Sequence, residues 1–115
     1  MELAPLLARA LGLLDTGEEV PAADLRALTK GLARSFAAAH PGRSVELRVP
    51  PYVAVQCVAG PRHTRGTPPN VVETDPVTWV LLCAGRVTWD TARREGRLSA
   101  SGARADLSGL LPHPA

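Results

Sequence analysis

The sequence has few aromatic residues and no long apolar run. Phenylalanine, tyrosine and tryptophan supply four of its 115 residues, so a core must consist mainly of Leu, Val and Ala. No run approaches the roughly 18 apolar residues that cross a bilayer. The N-terminus also lacks the cationic start and unbroken apolar stretch of a signal peptide. We therefore expect a cytoplasmic protein without a transmembrane segment.

Strong charge and known metal or nucleophile motifs are also missing. The formal net charge is +2, and the arginines are spread out without interleaved aromatic residues, which disfavours nucleic-acid binding. Cys57 and Cys83 lie in apolar stretches with no histidine at a signature spacing, so we predict buried free thiols. His40, His63 and His113 have no CxxC or HExxH context, and we predict neither a metal nor a cofactor.

The first part of the chain has the period of two amphipathic helices. Leu and Ala residues from Leu3 to Leu14 recur at steps of three and four, and a second such pattern runs from Pro21 to His40. A free helical pair would not offset its own ordering entropy, so its leucines should be mainly buried against the domain or a second copy of the chain. These leucines are Leu3, Leu7, Leu25 and Leu32.

From Ser44 the apolar period changes from helical spacing to two. Residues 44–49 alternate and predict a half-buried strand, whereas residues 52–58 are apolar on both faces and predict a more central one. Residues 70–74 and 97–101 read as two further short strands. Because the connections are short or return through helices, we expect all four in one antiparallel sheet.

Two short helices separate the last strands. Asp75 and Thr88 are typical N-cap residues, and Gly85 and Gly96 end the two patterns. The whole order predicts one α+β domain over residues 1–115. We expect a mostly antiparallel sheet of four to five strands with helices on one face, preceded by an N-terminal helical extension.

The second half of the sequence resembles a known family. The stretch TDPVTWVLLCAGRVTWDTARREGRLSASGARADLSGLL has an acidic helix cap, a helix ending in Gly-Arg, a second helix containing Ala, and then Gly-x-Leu-x-x-x-Gly. This pattern is similar to the ending of sterol-carrier-type lipid-transfer domains, in a bacterial, actinobacterial-type branch. The resemblance covers roughly residues 45–111, and residues 1–42 resemble that branch's N-terminal extension.

The resemblance implies an antiparallel sheet with helices on one face and, in lipid-carrying members, an apolar tunnel between them. We therefore predict a non-catalytic carrier of a hydrophobic or amphipathic, lipid-like small molecule. Its cavity would have an apolar lining from the second strand and the two short helices. The predicted lining residues are Val53, Val55, Cys57, Trp79, Leu82 and Trp89.

Polar residues concentrate in a Pro- and Gly-rich loop over residues 59–70. Loops of this length in compact domains are usually functional or disordered. Arg62, His63, Arg65 and Thr67 could bind the polar head of a ligand through charge-assisted hydrogen bonds. The alternative is an ordered loop whose arginines pair with nearby carboxylates.

Two other kinds of function stay open. The chain could be a protein-interaction or homodimerisation module whose N-terminal helices cover the partner. A weaker alternative is an enzyme that uses His63 and Glu73, or the accessory domain of a thiol-dependent isomerase, which the resemblance also allows. Asp75 is two residues from Glu73, but its position before Pro76 is better explained as a helix cap than as a catalytic acid.

Overall fold

A computed structural model describes residues 2–60 and 70–115 of the chain. The described ranges contain four α-helices, four β-strands and a short 3-10 helix. In chain order they are α1 (Leu3–Asp15), α2 (Ala22–Ala39), β1 (Val45–Val49), β2 (Val53–Cys57), β3 (Val71–Thr74), α3 (Pro76–Cys83), α4 (Trp89–Arg94), β4 (Leu98–Ser101) and the 3-10 helix (Ser108–Leu110). The predicted α+β class, with helices on one face of a four-stranded sheet, is confirmed.

The two short helices begin at the predicted caps. The Asp75 carboxylate accepts a hydrogen bond from the Thr78 backbone N–H at 3.0 Å, and Pro76 occupies the first helical turn, where no N–H is needed. The Thr88 hydroxyl caps α4 in the same way, accepting from the Thr91 N–H at 3.1 Å. Gly85 ends α3 with a φ of 74°, a left-handed conformation that glycine adopts without strain.

The sheet has the order β2-β1-β3-β4, and two of its three pairings are antiparallel. Strands β1 and β2 form a hairpin around Pro50-Pro51, with Val49 opposite Val53. The third pairing, between β1 and β3, is parallel, with Glu46 opposite Val71. The sheet is therefore mixed, and the expectation that all four strands would be antiparallel is wrong at this pair.

The parallel pairing reflects the end of the sheet at which β1 and β3 both begin. Strand β2 ends beside the start of β1, and β3 begins at that same end on the other side of β1. Ser44 stands between them: its backbone N–H donates to the Val58 carbonyl at 3.1 Å, and its own carbonyl accepts from the Asn70 side-chain amide at 2.7 Å. Strands β1 and β3 therefore start at the same end of the sheet and run in the same direction.

Strand β2 lies at the edge of the sheet, so its predicted central position is wrong. Its apolar residues Val53 and Val55 are half-buried under α2, while Ala54 and Gln56 are exposed on the other face. Strand β1 is one of the two central strands, and its burial alternates as the period of two predicts. Apolar side chains on both faces of a strand therefore did not distinguish a central strand from an edge.

The core lies between the inner face of the sheet and α2, α3 and α4, and α1 packs on α2 and adds Leu6 and Ala10 to the core cluster. Leu32 on α2 is fully buried, as predicted, whereas Leu3, Leu7 and Leu25 are partly buried and pack against the core. Gly31 permits the helix contact, because a Cβ there would lie 2.6 Å from the Leu3 side chain. No helix within the described ranges is long and apolar enough to cross a membrane.

Candidate functional site

The six residues predicted to line a cavity belong to one apolar layer between sheet and helices. Cys57, Trp79, Leu82 and Trp89 are buried members of the core cluster. The other two, on β2, pack against that cluster. The register explains their common face, since alternate residues of β2 stand opposite the buried residues of β1. Sheet pairing, the largely buried helix α3 and the buried side of α4 thus bring the predicted set together.

Trp79 is the centre of this layer and has an unusual polar atom. Its side chain is 1 % exposed and meets Phe36 of α2 edge to face, with ring centroids 5.6 Å apart. Among the described residues, its indole N–H and the hydroxyl of Thr29 are buried side-chain groups without a hydrogen-bond partner. Leaving such a group unpaired costs about 1–3 kcal/mol. The buried interior therefore contains two polar groups that no described residue satisfies.

A cavity of about 320 Å³ opens where α3 meets α4, and we call it the α3–α4 cavity. Leu82 and Trp89 form part of its wall, so two of the predicted residues border it directly. The remaining wall is Gly85, Val87, Thr88, Asp90, Ser108, Leu111 and Pro112. Val53 borders a different cavity, of about 410 Å³, near the β1–β2 hairpin. Of the nine wall residues, Thr88, Asp90 and Ser108 are polar, and the other six are apolar side chains or glycine.

The C-terminal segment closes one side of the layer through His113. The His113 ring nitrogen Nε2 lies 2.9 Å from the hydroxyl of Ser35, and its backbone N–H donates to the Cys83 carbonyl at 2.9 Å. The ring also stacks edge to face on Phe36 and lies 6.4 Å from the ring of His40. Burial, and then the nearby His40, lower the pKa of His113.

The sequence patterns did not indicate the cluster of His113 and Ser35. His113 was considered only as a metal ligand, and Ser35 carried no signal at all because its partner lies 78 residues away. Asn70 was missed as well, although a polar residue directly before an apolar strand could have marked it. Its side chain is buried and joins the Ser44 carbonyl to the Arg104 backbone N–H.

The loop residues predicted to bind a polar head lie outside the described residues. These are Arg62, His63, Arg65 and Thr67. The positions on either side are both near Ser44: Asn70 donates to its carbonyl, and a Cβ on Gly60 would lie 2.9 Å from the Ser44 Cβ. Both ends of the loop are therefore fixed at the same end of the sheet.

The thiols of the layer and the exposed carboxylates of residues 73 and 75 have structural surroundings. Both cysteines are free and buried, and burial raises the pKa of Cys57 to about 11 and that of Cys83 further. Such thiols stay protonated at neutral pH and are poor nucleophiles. Asp75 caps α3, and Glu73 is exposed on β3. In residues 2–60 and 70–115, no three His, Cys, Asp or Glu side chains converge as metal ligands.

Comparison with known families decides the identity of the domain. The model of a family described as bacterial SCP ortholog, SCP being sterol carrier protein, matches residues 21–113. The chain belongs to this bacterial SCP family. At family level it is a lipid-carrier-type domain. No curated protein matches the chain.

The SCP match includes the sheet, α2, α3, α4 and the segment through His113. All six predicted lining residues and the α3–α4 cavity fall inside it. Helix α1 lies before the match and packs on the outer side of α2. The family therefore corresponds to the layered part of the fold.

Proposed function

We propose that this SCP-family chain carries a hydrophobic or amphipathic small molecule of lipid type and performs no chemistry on it. The ligand would occupy the apolar layer between the inner face of the sheet and α3 and α4. The α3–α4 cavity would be its entrance, since it borders Leu82 and Trp89 of that layer. The loop residues Arg62 and Arg65 would hold an anionic or polar head at the end of the sheet.

The observation that carries the proposal is the buried indole N–H of Trp79. It lies in an otherwise apolar layer without a partner among the described residues. Buried polar groups in folded proteins are almost always hydrogen-bonded, so an orphaned donor indicates a group that is satisfied by something else. A lipid-like ligand with a hydroxyl, ester or carboxyl oxygen would supply the acceptor and bury its apolar body in the same step.

We propose no catalytic role because the thiols of the layer and the carboxylate that caps α3 are unsuited to one. Burial keeps Cys57 and Cys83 protonated, so neither is suited to nucleophilic attack. Asp75 is engaged in capping α3 through both of its oxygens, which accept from the Thr78 N–H and hydroxyl. These residues therefore serve the fold, and binding is the function that the layer supports best.

The test is the affinity of Trp79→Phe for an NBD-labelled stearate and an NBD-labelled cholesterol, both of which contain oxygen acceptors. Removing one hydrogen bond should weaken binding of a probe that uses it by about two- to twelvefold. The free energy of unfolding should change little, because relief of the unpaired N–H opposes the loss of buried volume.

Tyr52→Phe is the matched control, since it removes a polar hydroxyl group from an aromatic ring. Tyr52 is half-buried at the hairpin, outside the layer. It should change neither affinity nor stability. Equal affinity of wild type and Trp79→Phe for both probes would contradict a ligand hydrogen bond to the Trp79 N–H. Failure of the wild type to bind either probe would contradict the proposed function.

A second candidate function is homodimerisation through α1. Leu11, Leu13 and Leu14 on this helix are only partly buried, and they do not belong to the apolar residues packed against the core. Burying such side chains against a second copy would stabilise it. Sedimentation analysis of the wild type and of a Leu11→Glu variant tests this candidate: a dimer that the variant abolishes supports it, and a monomeric wild type contradicts it.

A further inference from the structure

The last residues of the chain are fastened to two helices by a single histidine. His113 is 6 % exposed, its ring is hydrogen-bonded to Ser35 of α2, and its backbone N–H is bonded to the last residue of α3, Cys83. Its ring also lies against Phe36. The buried imidazole therefore anchors residues 111–113 across the end of the α2–α3 pair.

The residues just before His113 cover the layer that we assign to the ligand. Leu111 and Pro112 form one wall of the α3–α4 cavity, opposite Leu82 and Trp89, and Pro112 lies directly against Gly85. Leu82 and Trp89 are only 2 % and 6 % exposed with this wall in place. Removing the wall would uncover the apolar layer at the cavity.

We propose that residues 111–113 are a strap that closes the α3–α4 cavity, and that protonation of His113 releases it. Release of the strap would let a ligand enter or leave the cavity, and that consequence rests on the proposed function. The strap itself and its pH dependence do not. The titratable group beside the imidazole is His40, at the end of α2, whereas α3 meets His113 through the backbone carbonyl of Cys83. In the described part of the chain, no carboxylate lies within ion-pair distance of His113 to compensate a positive charge there.

The sign of the effect follows from the surroundings of the ring. Burial lowers the pKa of His113, and repulsion by a charged His40 lowers it further. In the released strap the imidazole is in water and has its ordinary pKa of 6.5. Closure therefore disfavours the protonated form. The stability that His113 gives to the closed strap is present above pH 6.5 and is lost as the pH falls towards the lower pKa of the closed state.

The direct readout is hydrogen exchange at the His113 backbone N–H, because its hydrogen bond to Cys83 exists only while the strap is closed. The protection factor, corrected for the intrinsic exchange rate, is measured from about pH 8 to about pH 5, where histidine titrates. Each unit of pKa difference between closed and released strap corresponds to about a tenfold change in protection. We expect protection to fall severalfold on acidification, with greater accessibility of Trp89 to a fluorescence quencher.

Two variants separate protonation from general acid loosening. His113→Gln can still hydrogen-bond Ser35 but cannot become charged, so its residue-113 protection should no longer depend on pH. His40→Gln removes the neighbouring imidazole, so acidification should lower protection by a smaller factor than in the wild type. Constant wild-type protection across the range, or an equal decrease in His113→Gln, would overturn the proposal.

Ser35→Ala keeps the proposal testable if the His113→Gln variant does not fold. It leaves the imidazole in place and removes its hydroxyl partner, so the strap should be less protected at every pH, with the pH dependence retained. Adding the NBD-labelled stearate separates the two proposals. A strap that opens in acid while no probe binds at any pH would retain the strap and reject the carrier function.

Discussion

The indole ring of Trp79 stands at 84° to the ring of Phe36, with centroids 5.6 Å apart. This edge-to-face contact joins α3 to α2 above the sheet, and such pairs contribute about 0.5–1.5 kcal/mol beyond the area they bury. The indole N–H nevertheless has no partner in the described part of the chain. The ring therefore stabilises the fold through its apolar surface, while its N–H is left unpaired among the described residues.

The second unpaired group in the core predicts a stabilising substitution. Thr29→Val removes a buried hydroxyl that has no partner among the described residues and keeps the shape of the side chain. The free energy of unfolding should rise by about 1 kcal/mol, since the cost of the unpaired group disappears. Denaturant unfolding measures this change.

Thr78→Val is the matched control for that prediction. Thr78 is equally buried, but its hydroxyl donates to the Asp75 carboxylate at 2.6 Å. The same change should therefore destabilise the protein by about 1–3 kcal/mol, because Asp75 loses a partner. A destabilising Thr29→Val would mean that its hydroxyl is bonded in solution.

The contact between α1 and α2 predicts opposite outcomes at two helical glycines. Gly12 on α1 has open space around it, so Gly12→Ala should raise the free energy of unfolding by about 0.5–1 kcal/mol through helix propensity. Gly31→Ala on α2 would press its methyl group against Leu3, which must move. Thermal unfolding should show a gain for Gly12→Ala and no gain, or a loss, for Gly31→Ala. Equal gains would contradict the packing of α1 on α2.

The loop arginines predict a loss of affinity without a loss of stability. A charge-assisted hydrogen bond contributes about 1.5–3 kcal/mol, so replacing both Arg62 and Arg65 by Ala should weaken binding of the NBD-labelled stearate at least about tenfold. The melting temperature should stay nearly constant. The opposite pattern, a lower melting temperature with unchanged affinity, would assign the arginines to ion pairs within the fold. Arg9→Ala, an exposed change on α1, controls for charge.

Local signals in the sequence predicted the helices well. Asp75 and Thr88 cap their helices because each choice depends only on residues within one turn, and the same holds for Gly85. The apolar runs of β2 and of the two short helices also placed the six predicted residues in the core layer, and Leu82 and Trp89 among them border the α3–α4 cavity.

Non-local features could not be predicted. The parallel pairing of β1 with β3 places Ser44 between Val58 and Asn70, and its hydrogen bonds to them join residues far apart in the sequence. The burial of His113 depends on Ser35, and neither residue has neighbours that indicate the other. Period and propensity contain no information on such contacts.

The carrier function is tested most directly by native mass spectrometry of the purified chain, before and after incubation with the NBD-labelled stearate and the NBD-labelled cholesterol. We expect the chain to be seen with one additional lipid-sized mass, which disappears on denaturation and is less abundant in Trp79→Phe. The bare chain as the sole species, both as purified and after incubation with the two probes, would contradict the account.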